Sequence, residues 1–137
     1  MSITIETTIH AALDAVWQAW TTPEDIEHWN AASKDWHTTS AQVDLREGGS
    51  FNSRMEAKDG SMGFDFAGTY TQVVTLELLE YRLGDGRMVK VHFIQTPDGV
   101  LVRETFDPEN THPADMQRDG WQAILNNFKH YVEGKMG

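Results

Sequence analysis

No cysteine occurs among the 137 residues, which excludes disulfides, thiolate metal sites, iron–sulfur clusters and thiol nucleophiles together. Basic side chains are scarce: 11 Lys and Arg stand against 21 Asp and Glu, a formal charge of -10 at pH 7. A surface of that sign repels phosphate backbones and anionic headgroups, so neither nucleic acid nor a membrane is expected as a partner. No apolar run approaches the ~18 residues of a membrane-spanning helix. The stretch from Met1 to His10 has neither the basic start nor the apolar middle of a secretory leader, and a cytoplasmic location is the expectation. The familiar catalytic signatures are missing as well: no G-x-S-x-G elbow, no H-E-x-x-H, no phosphate-binding P-loop and no G-x-G-x-x-G. His28 and His37 bracket Asp35, but without the i, i+4 spacing of a metal-binding helix they read as surface or hydrogen-bonding histidines. No catalytic residue, metal or cofactor is expected.

What is present is material for one core. Apolar residues make up 39% of the chain and charged residues 23%, a globular balance, and the length suits a single domain over 1–137. Residues Ser2 to Ile9 alternate apolar and polar, as a half-buried strand does. Leu13, Val16, Trp17 and Trp20 then recur at helical spacing, and Pro23 stops that helix near Thr22 and opens a second short one, with Thr22 as a candidate cap. From Trp36 the period becomes two. Turn chemistry at Gly48-Gly49, Asp59-Gly60, Asp85-Gly86 and Asp98-Gly99 divides Trp36–Arg46, Ser50–Lys58, Met62–Gln72, Leu76–Leu83, Arg87–Thr96 and Val100–Asp107 into an antiparallel meander. With the first strand the sheet has about seven members. Trp121, Ile124, Leu125 and Phe128 mark a long C-terminal helix facing the sheet, with Asn127, Lys129 and Glu133 on its water side. The order is that of an α+β fold: a curled antiparallel sheet holding one long helix against its concave face, with two short helices after the first strand.

Several stretches carry a resemblance: Ala15 to Glu24 (AVWQAWTTPE), Trp29, Asp44 to Phe51 (DLREGGSF), Gly68-Thr69-Tyr70 and Gly120-Trp121. In this order they resemble the helix-grip domain of the family named for the activator of the heat-shock-protein-90 ATPase, within the START and birch-allergen-like superfamily. Trp36-His37 and Met55 to Gly60 look like a bacterial subgroup of single-domain members. The resemblance implies the helix-grip fold and a sheet that curls further than one helix fills, leaving a pocket. It implies no single function, since the superfamily hosts carriers, cyclases, hydrolases and co-chaperones.

Strand parity supplies candidate polar groups. In the strand ending at Arg46, the apolar set Ala41, Val43 and Leu45 shares its face with Thr39 and His37, which turns His37 inward. In the last strand Val100, Val102 and Phe106 share theirs with Glu104. A buried carboxylate needs either a polar cavity or a partner such as Arg, and the sequence leaves both open. The aromatic load converges on the space between sheet and helix, as core or as pocket lining. The leading expectation is a cavity that binds a small apolar or amphipathic molecule, lined by Trp29, Phe51, Met55, Phe66, Phe93, Trp121 and Phe128, with His37 and Glu104 as orienting polar groups. The rivals are a cyclase- or hydrolase-like enzyme using His37 or Glu104, and a chaperone-interaction module acting through its outer surface.

Overall fold

The computed structural model describes residues 2–136. Its elements run β1 (Ile3–Ile9), α1 (Leu13–Thr21), α2 (Pro23–Trp29), β2 (Trp36–Val43), β3 (Ser50–Ala57), β4 (Gly63–Val74), β5 (Leu78–Leu83), β6 (Met88–Thr96), β7 (Gly99–Phe106) and α3 (Ala114–Met136). The strands form one seven-stranded sheet in the order β1-β7-β6-β5-β4-β3-β2, with every pairing antiparallel. The meander is as the sequence predicts, and β1 returns to pair with β7, so the curled sheet wraps the long helix. This is the helix-grip arrangement.

Local chemistry explains the boundaries. Thr22 is extended at φ -99° and ψ 122°, as a residue before proline must be, and it separates α1 from α2 without its side chain capping either helix. Glu24 and Asp25 occupy the first turn of α2, where the N–H groups favour negative charge. The hairpins at Asp59-Gly60 and Asp85-Gly86 place glycine at φ 80° and 94°, a region that penalises any side chain with a Cβ. The strand expected to reach Arg46 ends at Val43, because Asp44 to Gly49 form a tight loop tied to β4 by Gly48 N–H to Tyr70 O at 2.8 Å and Tyr70 N–H to Gly49 O at 2.8 Å. Leu45, expected inward, is on that loop and exposed.

A second correction concerns register. Between Thr38 and Ser40 the pairing of β2 with β3 shifts: Thr38 faces Met55, Ser40 faces Arg54, and Thr39 is the extra residue of a β-bulge. The bulge inverts the alternation upstream of it. Thr38 therefore turns inward, where it is buried and donates to Asn30 O at 2.7 Å, and His37 takes the opposite side with its partner Glu56.

The core is densest where β1, β7 and β6 meet α1 and the C-terminal half of α3. Ile9, Val16, Val91, Val100, Val102, Leu125, Phe128 and Val132 are all fully buried there. The far side of α3 is not simply wet. Asn127 donates to Ala31 O, Lys129 Nζ reaches Thr8 O at 2.6 Å and Glu133 at 2.7 Å, and Glu133 accepts the His10 N–H at 2.9 Å. These residues, expected to face water, pin the helix to β1 and to the loop after α2. The opposite end of the sheet is less covered. Leu83, the last residue of β5, pairs with Gly68, so β4 from 63 to 67 and the hairpin joining it to β3 overhang the sheet's edge.

Candidate functional site

Because α3 is pinned along β1, its N-terminal half stands off from β3, β4 and β5 and leaves a cavity of about 310 Å³. Its walls are aromatic and aliphatic: Trp20 of α1, Ile26 and Trp29 of α2, Phe51 and Met55 of β3, Phe64 and Phe66 of β4, and Trp121 and Ile124 of α3. The rings brace one another. Trp121 stacks on Phe106 with centroids 3.9 Å apart and meets the edge of Phe66 at 6.0 Å, while Phe51 meets Tyr81 at 4.8 Å. The Trp29 indole is fixed by its N–H to Ala19 O at 2.9 Å. Gly68 admits this packing, since a Cβ there would lie 2.9 Å from the Phe51 ring and 2.5 Å from Arg82 O.

Besides the amides Asn30, Gln42 and Gln117, four polar side chains border the same space: Ser53, Tyr70, Tyr81 and Glu104. Each exposes no more than 6% of its surface. None hydrogen-bonds through its side chain to another described residue, and their oxygens open on the cavity. Asn52 Oδ1 and His92 Nδ1, by contrast, are both sealed and unpartnered. Glu104 has no ion pair among the described residues, so of the two readings left open by the sequence the polar cavity holds and the structural Arg partner does not. Burial pushes the Glu104 carboxyl up to about 8 and Tyr70 up to about 12. Tyr81 rises well above its usual range through burial, reinforced by the Glu104 charge and by Tyr70. At neutral pH the floor therefore presents four neutral O–H groups in an apolar box.

Charge is confined to the mouth. Arg87 is held by Asp85 at 2.8 Å, and His112 pairs with Glu109. Gln117, almost fully buried, shapes this lip: it accepts from Glu109 N at 2.8 Å and donates to Glu109 O at 3.1 Å and His112 O at 2.8 Å. Met62, Phe64 and Met116 are exposed on the overhanging hairpin and the first turn of α3.

Six residues expected from the sequence line the cavity: Trp29, Phe51, Met55, Phe66, Glu104 and Trp121. His37, Phe93 and Phe128 do not. The bulge at Thr39 turns His37 away, and with it goes the geometric basis for His37 as a proton-transfer group. Phe93 is packed beneath α1 against Trp17 at 5.2 Å, and Phe128 closes on Trp20 and Trp29 at 4.8 Å each. Both rings back the wall instead of forming it. The sequence pattern does not single out Tyr70, Tyr81 or Ser53 as lining residues. For Tyr81 the signal was available, since it sits between Leu79 and Leu83 on the buried face of β5. His28, Asp35 and His37 form no metal-ligand cluster among the described residues. No helix among the described residues is long and apolar enough to cross a membrane.

Comparison with known proteins places this geometry. Residues 10–133 match the model of the family described as Activator of Hsp90 ATPase homolog 1-like protein. No curated protein matches the chain. The solution structure of the AHSA1-like protein from Aeromonas hydrophila is 51% identical, with 99% of this chain and 94% of that one covered and a TM-score of 0.94. A solution structure from Cytophaga hutchinsonii is 50% identical over 98% of this chain and 94% of that one, with a TM-score of 0.85. A crystal structure from Nitrosomonas europaea shares the fold at 17% identity, covering 99% and 96% of the two chains with a TM-score of 0.84.

Proposed function

Since the chain belongs to the Activator of Hsp90 ATPase homolog 1-like family, whose fold suits ligand binding, we propose that it acts as a binding protein for a small, largely apolar molecule held in the aromatic cavity. The observation that carries this reading is the floor: four buried polar groups without internal partners, facing walls built mainly from rings and aliphatic chains. Burying a hydroxyl or carboxyl without a hydrogen bond costs about 1 to 3 kcal/mol on mutational scales, so such a set is at odds with a merely structural role. Trp29, Phe51, Met55, Phe66 and Trp121 supply contact area, and Glu104 orients the molecule through hydrogen bonding.

The test uses N-phenyl-1-naphthylamine, an uncharged dye whose fluorescence rises in apolar surroundings. The native protein is expected to enhance it, and Phe51→Asp to abolish the enhancement while unfolding remains cooperative. A cooperative fold must be shown in parallel, because a molten state also binds the dye. A native protein that enhances no apolar probe overturns the reading.

The exposed Met62, Phe64 and Met116 favour a second reading, contact with a protein partner of the chaperone kind suggested by the family's name. Replacing Met62 and Met116, which do not line the cavity, by Ser separates the two: partner contact is lost with the rim, whereas dye binding follows the floor and walls.

A further inference from the structure

The polar floor restricts what the cavity accepts, and this deepening rests on the binding role proposed above. Tyr81 of β5 and Glu104 of β7 flank β6, whose concave side between them carries only the aliphatic Val89 and Val91. The two polar groups are close enough for the Glu104 charge to act on the Tyr81 phenol, yet no direct hydrogen bond joins them. Tyr70, paired with Tyr81 across β4 and β5, adds a third O–H on the same side. The amide side chains of the lining are Asn30, Gln42 and Gln117, and the Gln117 nitrogen is committed to the lip. The two basic groups of the lining, Arg87 and His112, stand at the mouth and are each engaged by a carboxylate, Asp85 and Glu109.

We propose that the cavity selects molecules carrying a neutral oxygen acceptor, a ketone, ester or amide carbonyl, at the end that enters first, bound by the Glu104 and Tyr81 O–H groups together. A neutral acceptor between two O–H donors satisfies both without bringing a charge into the apolar box, where it would lose its hydration. An organic anion finds no unengaged cation inside. An organic cation requires Glu104 to ionise among the rings and to release its proton. The titratable groups facing Glu104 are Tyr81 and Tyr70. Glu109, His112 and Arg87 lie at the mouth, and the part of α3 that lines the cavity contributes Gln117, Trp121 and Ile124, none of which titrates.

The test compares three naphthalene probes by isothermal titration: 6-propionyl-2-dimethylaminonaphthalene, its 6-propyl counterpart without the carbonyl, and a 2-naphthylmethyl trimethylammonium ion. At pH 7 the ketone is expected to bind at least tenfold more tightly than the propyl compound, because a site built to donate hydrogen bonds disfavours an analogue that cannot accept them. Binding should take up or release no protons when buffers of different ionisation enthalpy are compared. Tyr81→Phe and Glu104→Leu should each reduce the ketone's advantage while leaving the propyl compound bound. Glu104→Gln, which keeps a donor, should retain the advantage at pH 9.5, where the native protein loses it as Glu104 ionises. Equal binding of ketone and propyl compound overturns the selectivity and leaves the binding role standing. Tightest binding of the ammonium ion with proton release also overturns it. If none of the three binds, the binding role itself fails.

Discussion

The two ends of α3 solve different problems. Around its C-terminal half, Val16, Val100, Leu125, Phe128 and Val132 are packed almost without exposure, and Asn127, Lys129 and Glu133 are tied to the loop after α2, to β1 and to His10 just beyond β1. Around its N-terminal half the rings brace one another but leave a cavity, and four buried polar groups face it without partners. One end of the helix satisfies every polar contact it makes. The other holds unsatisfied groups in place, and the rigid end is what keeps them spread, since α3 cannot slide down onto β4 and β5 while its far end is anchored.

The largest effect expected from this contrast is a pH dependence that originates in the cavity. In the unfolded chain Glu104 titrates near its ordinary 4.5, and in the fold near 8. The native state thus retains a proton that the unfolded chain has lost, so stability from this group is fully present below about pH 4.5 and declines as pH rises through about 8. The decline amounts to something on the order of 4 to 5 kcal/mol. Denaturant unfolding across that window should show it in the native protein and not in Glu104→Gln. Parallel curves for the two would remove Glu104 from the buried floor.

Next in size are the rings. Phe128→Ala should cost about 3 to 5 kcal/mol, as a fully packed ring does, whereas Phe66→Ala should cost about 1 kcal/mol, because that ring already borders the cavity. Calorimetry of both variants that returned equal losses would mean the two ends are packed alike. A smaller effect lies at the anchor. Burial pushes the Asp25 carboxyl up, but hydrogen bonds from Lys135 and Tyr131 outweigh it and hold it below its ordinary value. Its contribution is therefore present above the unfolded carboxyl range and is lost as pH falls through the folded value. Asp25→Asn should cost about 1 to 3 kcal/mol at pH 7 and almost nothing in strong acid. The smallest change is expected at the rim, where Met116→Ser should leave stability within about 0.5 kcal/mol. A large loss there would mean that the first turn of α3 is part of the core.

Much of this molecule is legible in its sequence because its elements obey simple periods. Glu104 could be turned inward from Val100, Val102 and Phe106 alone, because β7 pairs without interruption on both sides. His37 could not, since the same reasoning crosses the bulge at Thr39, and nothing in Thr38-Thr39-Ser40 announces it. Tyr70 lies beside a second shift, between Tyr70 and Gln72. Phe93 and Phe128 share the spacing of the wall residues, and whether such a ring lines a cavity or backs it depends on how far α3 is held from the sheet. That distance is set by contacts such as Lys129 to Thr8, which join positions 121 residues apart and leave no trace in local spacing.

The bulge at Thr39 also works as a frame marker. All of β2 upstream of it is read in one phase and all downstream in the other. Thr38 and Ser40 already oppose Met55 and Arg54 as consecutive pairs, so deleting Thr39 would close the ladder and leave both faces unchanged, with Thr38 inward and His37 outward. Exchanging the faces takes a slip instead: with Thr39 drawn into the ladder opposite Met55, Thr38 would turn out and His37 would turn in, opposite Ala57. The phase of the strand's first residues thus rests on one spare residue and on the Thr38 bond to Asn30 O, and that spare residue absorbs a one-residue loss that would turn an unbulged strand inside out.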